Sequence, residues 1–334
     1  MEKQLTVIVP AYNTERYLNE CIDSMLRVDD SNQLEIIIVD DGSKDRTGEI
    51  ADIYALKWPN TVKVIHKQNG GHGSAINTGI SLASGRYSKI VDSDDWVDTN
   101  AFKLFLEALS GAHCDIVATP FCINYRGKVR RQKIEGAKNR PKGVMLQFEN
   151  VAESCHIRMH EMTIRTELLK HHGILLTENS FYVDMQFITF PIPWVKTISF
   201  FEYYVYQYRL GCESQSVSVR SMQKNRKQHL DVMESLMNLY KCRKNVGDGA
   251  YILKYIAKSI SKMENNQVQI CLSMPISRSA KEELIRSENA VKANCVEAYT
   301  SVEGNFIKRA CILLLRISRY RLYPMAAIIW RLLK

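Results

Sequence analysis

Asp92-Ser93-Asp94-Asp95 places three carboxylates within four residues at the end of an apolar run. Carboxylates that close repel one another unless a cation or bulk water screens them. Hard divalent ions such as Mg²⁺ or Mn²⁺ take oxygen ligands and commonly share them with substrate phosphates. Asp is also favoured at a helix N-terminus, so this cluster alone leaves both readings open. A second acidic stretch, Asp40-Asp41-Gly42-Ser43, follows the apolar, β-branched run Ile36-Ile37-Ile38-Val39. Such a run predicts a central parallel strand, whose terminal acids would lie close to the first cluster. Not all of them can ligate a metal; one can instead accept from a base N–H or a ribose hydroxyl. A turn before a helix capped near Asp45 fits the same residues. The third feature is Asn69-Gly70-Gly71-His72-Gly73, with Asn77 and Gly79 after it. It follows an internal strand and lacks the G-x-G-x-x-G order, so a dinucleotide site is not expected. Glycines here let the backbone approach a ligand closely.

The elements that must position these groups alternate. Leu5–Val9, Leu34–Val39, Val62–His66, Lys89–Val91 and Asp115–Thr119 are short β-rich runs. Between them, Glu15–Leu26, Thr47–Leu56, Gly73–Ala83 and Thr99–Leu109 carry helical patterns. The alternation predicts an α/β fold with a doubly wound, mainly parallel sheet. Ligands of such sheets bind outside the carboxyl ends of the strands, where the polar stretches above are gathered. Beyond residue 120 the pattern loosens. Basic loops around Lys128–Lys142 precede a helical run near Val151–Lys170 and an aromatic stretch, Phe200–Tyr208. Residues 222–300 read as helical and polar.

Taken together, Val7-Ile8-Val9-Pro10-Ala11-Tyr12-Asn13, Val39-Asp40-Asp41-Gly42-Ser43, Asn69-Gly70-Gly71 with Asn77-Thr78-Gly79, and Asp92-Ser93-Asp94-Asp95 resemble family 2 glycosyltransferases of the GT-A fold. The four motifs stand in the family's order over residues 5–95, dense in the first third of the chain and loose in the next. The resemblance implies a nucleotide-sugar donor, with Pro10, Tyr12 and Asp41, and Asp40 beside it, at the nucleotide base. Asn69, Gly70 and Asn77 go with the donor-binding set. Asp92 and Asp94 match the D-x-D that holds ribose and a Mn²⁺ or Mg²⁺ ion on the diphosphate, with Asp95 the alternative direct ligand. The family's catalytic base matches Asp184 in Phe181-Tyr182-Val183-Asp184; Val183 replaces the Glu of the family's Glu-Asp pair, and Glu178 is the reserve. An inverting transfer needs such a base to take the acceptor hydroxyl's proton and cationic groups to stabilise the departing diphosphate. Arg209, before the Ser-rich stretch Ser214–Ser218, is a candidate for the latter.

Two other patterns are set aside. His160-Glu161 suggests H-E-x-x-H, but Ile164 stands where the second His belongs. His171-His172 lies beside Lys170 in a helical stretch and is expected to face solvent.

Composition agrees with a folded enzyme. Hydrophobic residues make up 46% of the 334-residue chain and charged residues 24%, as in ordinary globular domains. Residues 1–110 hold 11 Lys/Arg against 17 Asp/Glu, and the remainder 34 against 19. The acidic front suits a cation site and the basic back an anionic partner. The nine cysteines form no C-x-x-C pair, which argues against a disulfide framework or a zinc site. No run reaches ~18 uncharged apolar residues, and Met1 leads through charged residues into a strand, so neither a spanning helix nor a signal peptide is expected. The segment 305–334 carries Lys308, Arg309, Arg316, Arg319, Arg331 and Lys334. At helical spacing most of these share one face, which reads as a basic amphipathic helix on an anionic membrane; packing on the protein body is the alternative, and Pro324 should break or kink the helix.

The expected organisation is therefore a nucleotide-sugar-binding part (1–110), an acceptor-binding part (111–220), a helical region (221–304) and the tail (305–334). The expected function is transfer of a sugar, from a UDP-sugar and with inversion, to a glycan or lipid-linked acceptor. It would act in the cytoplasm at the inner face of the cell membrane, with no nucleic-acid partner. A nucleotidyltransferase of similar fold and a non-catalytic nucleotide-sugar-binding module are the alternatives. The first would want a basic glycine-rich loop after the first strand, where Pro10-Ala11-Tyr12-Asn13 stands. The second would have lost the metal acids, and all are present.

Overall fold

The computed structural model describes residues 3–28, 33–211, 219–302 and 306–332. The chain divides into two compact units, Met1–Glu213 and Ser214–Lys334.

In the first unit, β1 (Leu5–Ala11) and β2 (Leu34–Asp40) are buried along their whole length. Both faces are covered, as expected for apolar strands inside a parallel sheet. They run parallel to each other, to β3 (Val62–His66) and to β4 (Tyr87–Ile90). Helices α1 (Leu18–Leu26), α2 (Thr47–Lys57) and α3 (Gly71–Leu82) make the connections. On α1 the buried Leu18, Cys21, Ile22 and Met25 recur at i, i+3, i+4 and i+7, one apolar face against the sheet. The two-residue strand β5 (Trp96–Val97) follows the acidic loop, and α4 (Thr99–Ser110) begins at Asp98, which caps it by accepting from the Ala101 amide.

The remaining strands are β6 (Ile116–Ala118), β7 (Phe121–Tyr125), β8 (Lys128–Gln132), β9 (Met145–Gln147), β10 (Met162–Arg165), β11 (Thr197–Phe200) and β12 (Tyr206–Leu210). The eight-stranded sheet has the order β3-β2-β1-β4-β10-β6-β11-β9, and a smaller one the order β5-β12-β7-β8. The helical run expected over Val151–Lys170 is corrected. That stretch holds a short 3₁₀ turn, the strand β10 and the six-residue helix α5 (Thr166–His171). Thr163 and Ile164 are β-branched and fully buried, and β10 fills the slot between β4 and β6 as an antiparallel strand; a neighbour on each side outweighs helical periodicity. Helix α6 (Asp184–Thr189) closes the set.

The second unit is helical: α7 (Val219–Lys224), α8 (Arg226–Val246), α9 (Ala250–Ser273), α10 (Arg278–Asn294), α11 (Val296–Thr300), α12 (Phe306–Ile317) and α13 (Tyr323–Leu332). The 24-residue α9 is its axis, with fifteen buried positions around it. The tail is two helices rather than one. Arg319 and Tyr320 have φ of 49° and 60°, a left-handed break, and Pro324 stands in the first turn of α13, where proline costs no hydrogen bond. The single basic face expected there is also corrected. Arg316 turns inward to Glu264 and Glu288, and Ile312, Leu315, Tyr323, Ala327 and Trp330 pack with Val268, Cys271 and Leu272 of α9. Lys308 and Lys334 lie outside the residues whose side chains are described.

Candidate active site

The carboxyl ends of β1, β2 and β4 converge as the strand order requires. Pro10 lies beyond Ile8, the last residue of β1 paired with β4, while staying in register with Val39 of β2, so its missing N–H leaves no gap in the β4 ladder. Tyr12 then stands 48% exposed at the strand mouth.

The acids there divide into committed and open groups. Asp41 accepts from the Gly70 and Gly71 amides at 2.9 and 2.7 Å and from Lys67 Nζ at 2.8 Å. Its carboxylate thus clamps the glycine loop onto β2. Asp40 accepts from the Ser43 amide and meets His66 Nδ1, both at 3.0 Å. Asp95 accepts from the Tyr206 hydroxyl at 2.6 Å and the Arg209 amide at 2.7 Å, tying the acidic loop to β12. Arg209 Nε donates to the Asp94 carbonyl at 2.8 Å, its Nη2 pairs with Glu20, and the guanidinium lies 4.4 Å from the centre of the Trp96 ring. Arg209 is therefore built into the loop's support. The Ser214–Ser218 stretch lies outside the described residues.

Asp92 and Asp94 are less satisfied. Asp92 meets His72 Nε2 at 2.8 Å. Asp94 has its carboxyl pushed up to about 6, by enclosure first and by Asp92's charge second. Asp184 heads α6 with its carboxylate reaching solvent. The site walls around it, and then Asp92, raise it above the usual carboxylate range, while His72 opposes. Asp92, Asp94 and Asp184 thus act electrostatically on one imidazole, His72.

His160, set aside with its H-E-x-x-H pattern because Ile164 replaces the second His, joins this group. Its ring stacks on Phe121 at 5.1 Å and lies 4.7 and 4.6 Å from Tyr206 and Tyr208. Burial lowers it to about 4, which keeps the imidazole neutral and able to ligate. One ligand atom each of Asp92, Asp95 and His160 lie within 4.8 Å of one another. Two carboxylates and a neutral imidazole fit a divalent ion, and the oxygens of Asp95 keep lone pairs beyond the two bonds they accept. Behind His160 the fully buried Lys89 donates to its carbonyl at 2.9 Å. The signal available in the sequence was a lysine opening the strand-like run Lys89–Val91.

Two of the glycines, Gly71 and Gly73, face a segment of protein. A Cβ on Gly73 would stand 2.4 Å from the Thr177 carbonyl, and Gly71 has φ +82° with the Asn179 backbone 3.1 Å from the Cβ position. Asn77, grouped with the donor-binding residues, uses its whole amide on Leu176, donating to the carbonyl and accepting from the amide, each at 2.9 Å. Asn69 donates to the Asp41 carbonyl. Asn77, Gly71 and Gly73 seat residues 176–180 on the head of α3, and that segment leads into Asp184. Glu178 stands exposed on it.

A mainly parallel sheet with an acidic D-x-D loop at its carboxyl edge, followed by a second small sheet, defines a GT-A glycosyltransferase. The chain belongs to glycosyl transferase family 2, whose family model matches residues 6–173. It is 47% identical over 117 residues to the glycosyltransferase EpsJ of Bacillus subtilis, across 35% of this chain and 33% of that one. It thus spans about a third of that relative's length. EpsH of the same organism aligns at 26% identity over 97% of this chain and 93% of its own. Among solved structures, Staphylococcus aureus TarS with UDP-GlcNAc superposes with a TM-score of 0.68 at 18% identity, covering 98% of this chain and 91% of that one. This likeness establishes the fold.

Proposed function

We propose that the protein transfers a sugar from a UDP-sugar to a glycan or lipid-linked acceptor with inversion, assisted by Mn²⁺ or Mg²⁺. One observation carries the reading: in a family 2 chain, Asp92 meets His72 at 2.8 Å at the strand mouth, and Asp94 and Asp184 act electrostatically on the same imidazole. TarS, whose fold this chain shares, was solved with UDP-GlcNAc, which supports a uridine nucleotide. Tyr12 is placed to stack on the base, and the Asp40–Asp41 turn to meet base or ribose through groups not already committed. Asp92 and Asp95 with His160 would hold the ion, Asp94 standing beside them; bound there, it would neutralise charge on the departing diphosphate. Asp184 takes the proton of the acceptor hydroxyl. Its raised pKa brings it nearer the working pH, where a general base is most effective.

The two tail helices are proposed to touch an anionic membrane surface. The support is an outward stripe of Met325, Ile328, Ile329 and Leu332, each 37–80% exposed, with Arg319, Arg321 and Arg331 on the exposed surface. Among the described residues no helix is long and apolar enough to cross a membrane.

The test is a nucleotide-sugar panel scored for metal-dependent hydrolysis without acceptor. Release of UDP from one sugar, lost with EDTA and restored by Mn²⁺ or Mg²⁺, is the expected result. No UDP-sugar turned over in any metal, with UDP itself unbound, rejects the reading.

A further inference from the structure

The hairpin β7–β8 carries a charge the transfer chemistry has not used. Residues 121–142 hold eight Lys/Arg and one Glu. Arg140 donates to the Gly136 carbonyl and to Ser154, and Lys142 pairs with Glu202. Lys128, Arg130, Arg131 and Lys133 are exposed, and no acid among the described residues pairs with them. The hairpin is a fixed platform. Arg126 and Gly127 have φ of 47° and 79°, the two-residue turn that matches strand twist, and β7 is bonded along its length to β12.

Register decides which way these charges face. Tyr208 pairs with Ile123 and Ile123 with Arg130, while Leu210 pairs with Tyr125 and Tyr125 with Lys128. Residues directly paired across strands share a sheet face. Arg130 and Lys128 therefore lie on the face that carries Tyr206, bonded to Asp95, and Tyr208, against His160. Along that face the surface opens outward, from buried Tyr206 through partly buried Ile123 to Tyr125, 46% exposed. Arg126 lies over the Tyr125 ring at 5.4 Å. With strands ~4.8 Å apart, the cationic edge stands about 14 Å from β5, which begins next to Asp95.

We infer that this ledge binds the acceptor, and that the acceptor is a polymer joined through phosphodiesters. The inference rests on the donor site proposed above and names the acceptor class for it. A single lipid-borne diphosphate needs one compact cradle. Here Lys128 and Arg130 stand two residues, about 7 Å, apart along an exposed strand edge, which suits a repeating anion passing across the sheet toward Asp184. Tyr125 and Ile123 offer apolar surface to the carbon skeleton between phosphates.

The test is fluorescence anisotropy with the full chain and a labelled polyol-phosphate oligomer, in low and high salt. A neutral glycan of equal length, single-stranded DNA of equal charge and anionic vesicles serve as rivals. We expect oligomer binding that salt weakens, a tenfold or greater loss in Lys128→Gln/Arg130→Gln, and abolition in Lys128→Glu/Arg130→Glu. Unchanged melting temperatures would show that these exposed changes leave the fold intact. Arg319→Gln/Arg321→Gln in the helical unit should leave oligomer affinity as it was. Equal affinity of wild type and the Lys128/Arg130 variants overturns the inference, as does tighter binding of DNA or of the neutral glycan. So does loss of vesicle binding in those variants with no oligomer bound. UDP affinity is measured on the same sample: its absence with oligomer binding intact unseats the donor-site reading and leaves the ledge standing.

Discussion

Two buried acidic clusters sit in this chain, and they are neutralised differently. In the helical unit Glu264 and Glu288, 2% and 1% exposed at their side chains, share the guanidinium of Arg316 at 3.0 and 2.7 Å. Tyr299 offers that guanidinium its carbonyl and its ring, centred 3.9 Å away. At the strand mouth, Asp92, Asp94 and Asp95 lie together with the His72 imidazole on Asp92 and two neutral hydrogen bonds on Asp95. Enclosure, then neighbouring acids, push Asp95 well above the usual range. A cluster whose countercharge is built in holds helices together. One in which three carboxylates share a single imidazole remains under-neutralised until something positive arrives, and perturbed carboxylates mark such sites.

The comparison can be broken at either end, and the strand mouth should respond most. Asp92→Asn removes the acid nearest His72 and His160, so transfer should vanish. Mn²⁺-dependent UDP affinity should fall by more than the ~10²-fold that losing even a supporting group costs a metal site. Thermal unfolding should stay near wild type, because one repelling charge has gone. Calorimetric titration of UDP with and without Mn²⁺ checks it; metal-dependent affinity kept intact would remove Asp92 from the ion's ligands. In the helical unit the signs reverse. Arg316→Met removes the partner of the buried Glu264–Glu288 pair and should cost about 3–5 kcal/mol of stability, measured by urea unfolding, with UDP affinity unchanged. A smaller loss would mean the cluster takes in water. Third in size is Asp184→Asn, which keeps shape and removes the proton acceptor. Transfer should drop ~10²-fold or more while UDP affinity holds. Should Glu178→Gln be the inactive variant instead, the exposed acid six residues upstream is the base.

What the sequence disclosed follows from how local each cause is. The runs of β1 and β2 were legible because both faces of those strands are apolar, and the acids at their ends are fixed by chain order alone. The pairing of Asp95 with Tyr206, 111 residues away, has no local trace. Nor does the arrival of His160 beside Asp92, which depends on β10 entering the sheet antiparallel. Asn77 and the glycines were visible as special positions, but their reason, the approach of residues 176–180, belongs to tertiary packing. In the tail, helical periodicity placed Ile312, Leu313, Leu314, Ile328 and Ile329 opposite the basic residues, yet only Ile312 of these is buried. It missed Arg316 because an inward arginine needs buried acids on other helices, here α9 and α10, to receive it.

The smallest effect is the most discriminating for the helical cluster. Two carboxylates facing one guanidinium leave one charge in excess. Burial raises Glu264 to about 8 against Arg316's opposing pull, with Glu288 adding to the rise. Glu264 thus holds a proton in the folded state that the unfolded chain releases near its ordinary value, about 4.5. A raised folded pKa contributes stability that is complete below the unfolded value and is lost as pH climbs through the folded one. The helical unit should therefore weaken between pH 5 and pH 9 (both approximate limits of that window). Glu264→Gln imitates the protonated acid, so near pH 6 its stability should lie within about 1 kcal/mol of wild type. The variant should then lose less stability than wild type as pH rises: the two curves should separate between about pH 5 and about 8 and run parallel above that. Urea unfolding followed by far-ultraviolet circular dichroism at several pH values measures both curves. If they run parallel throughout, the proton is not held at Glu264, and Arg316 neutralises both acids without it.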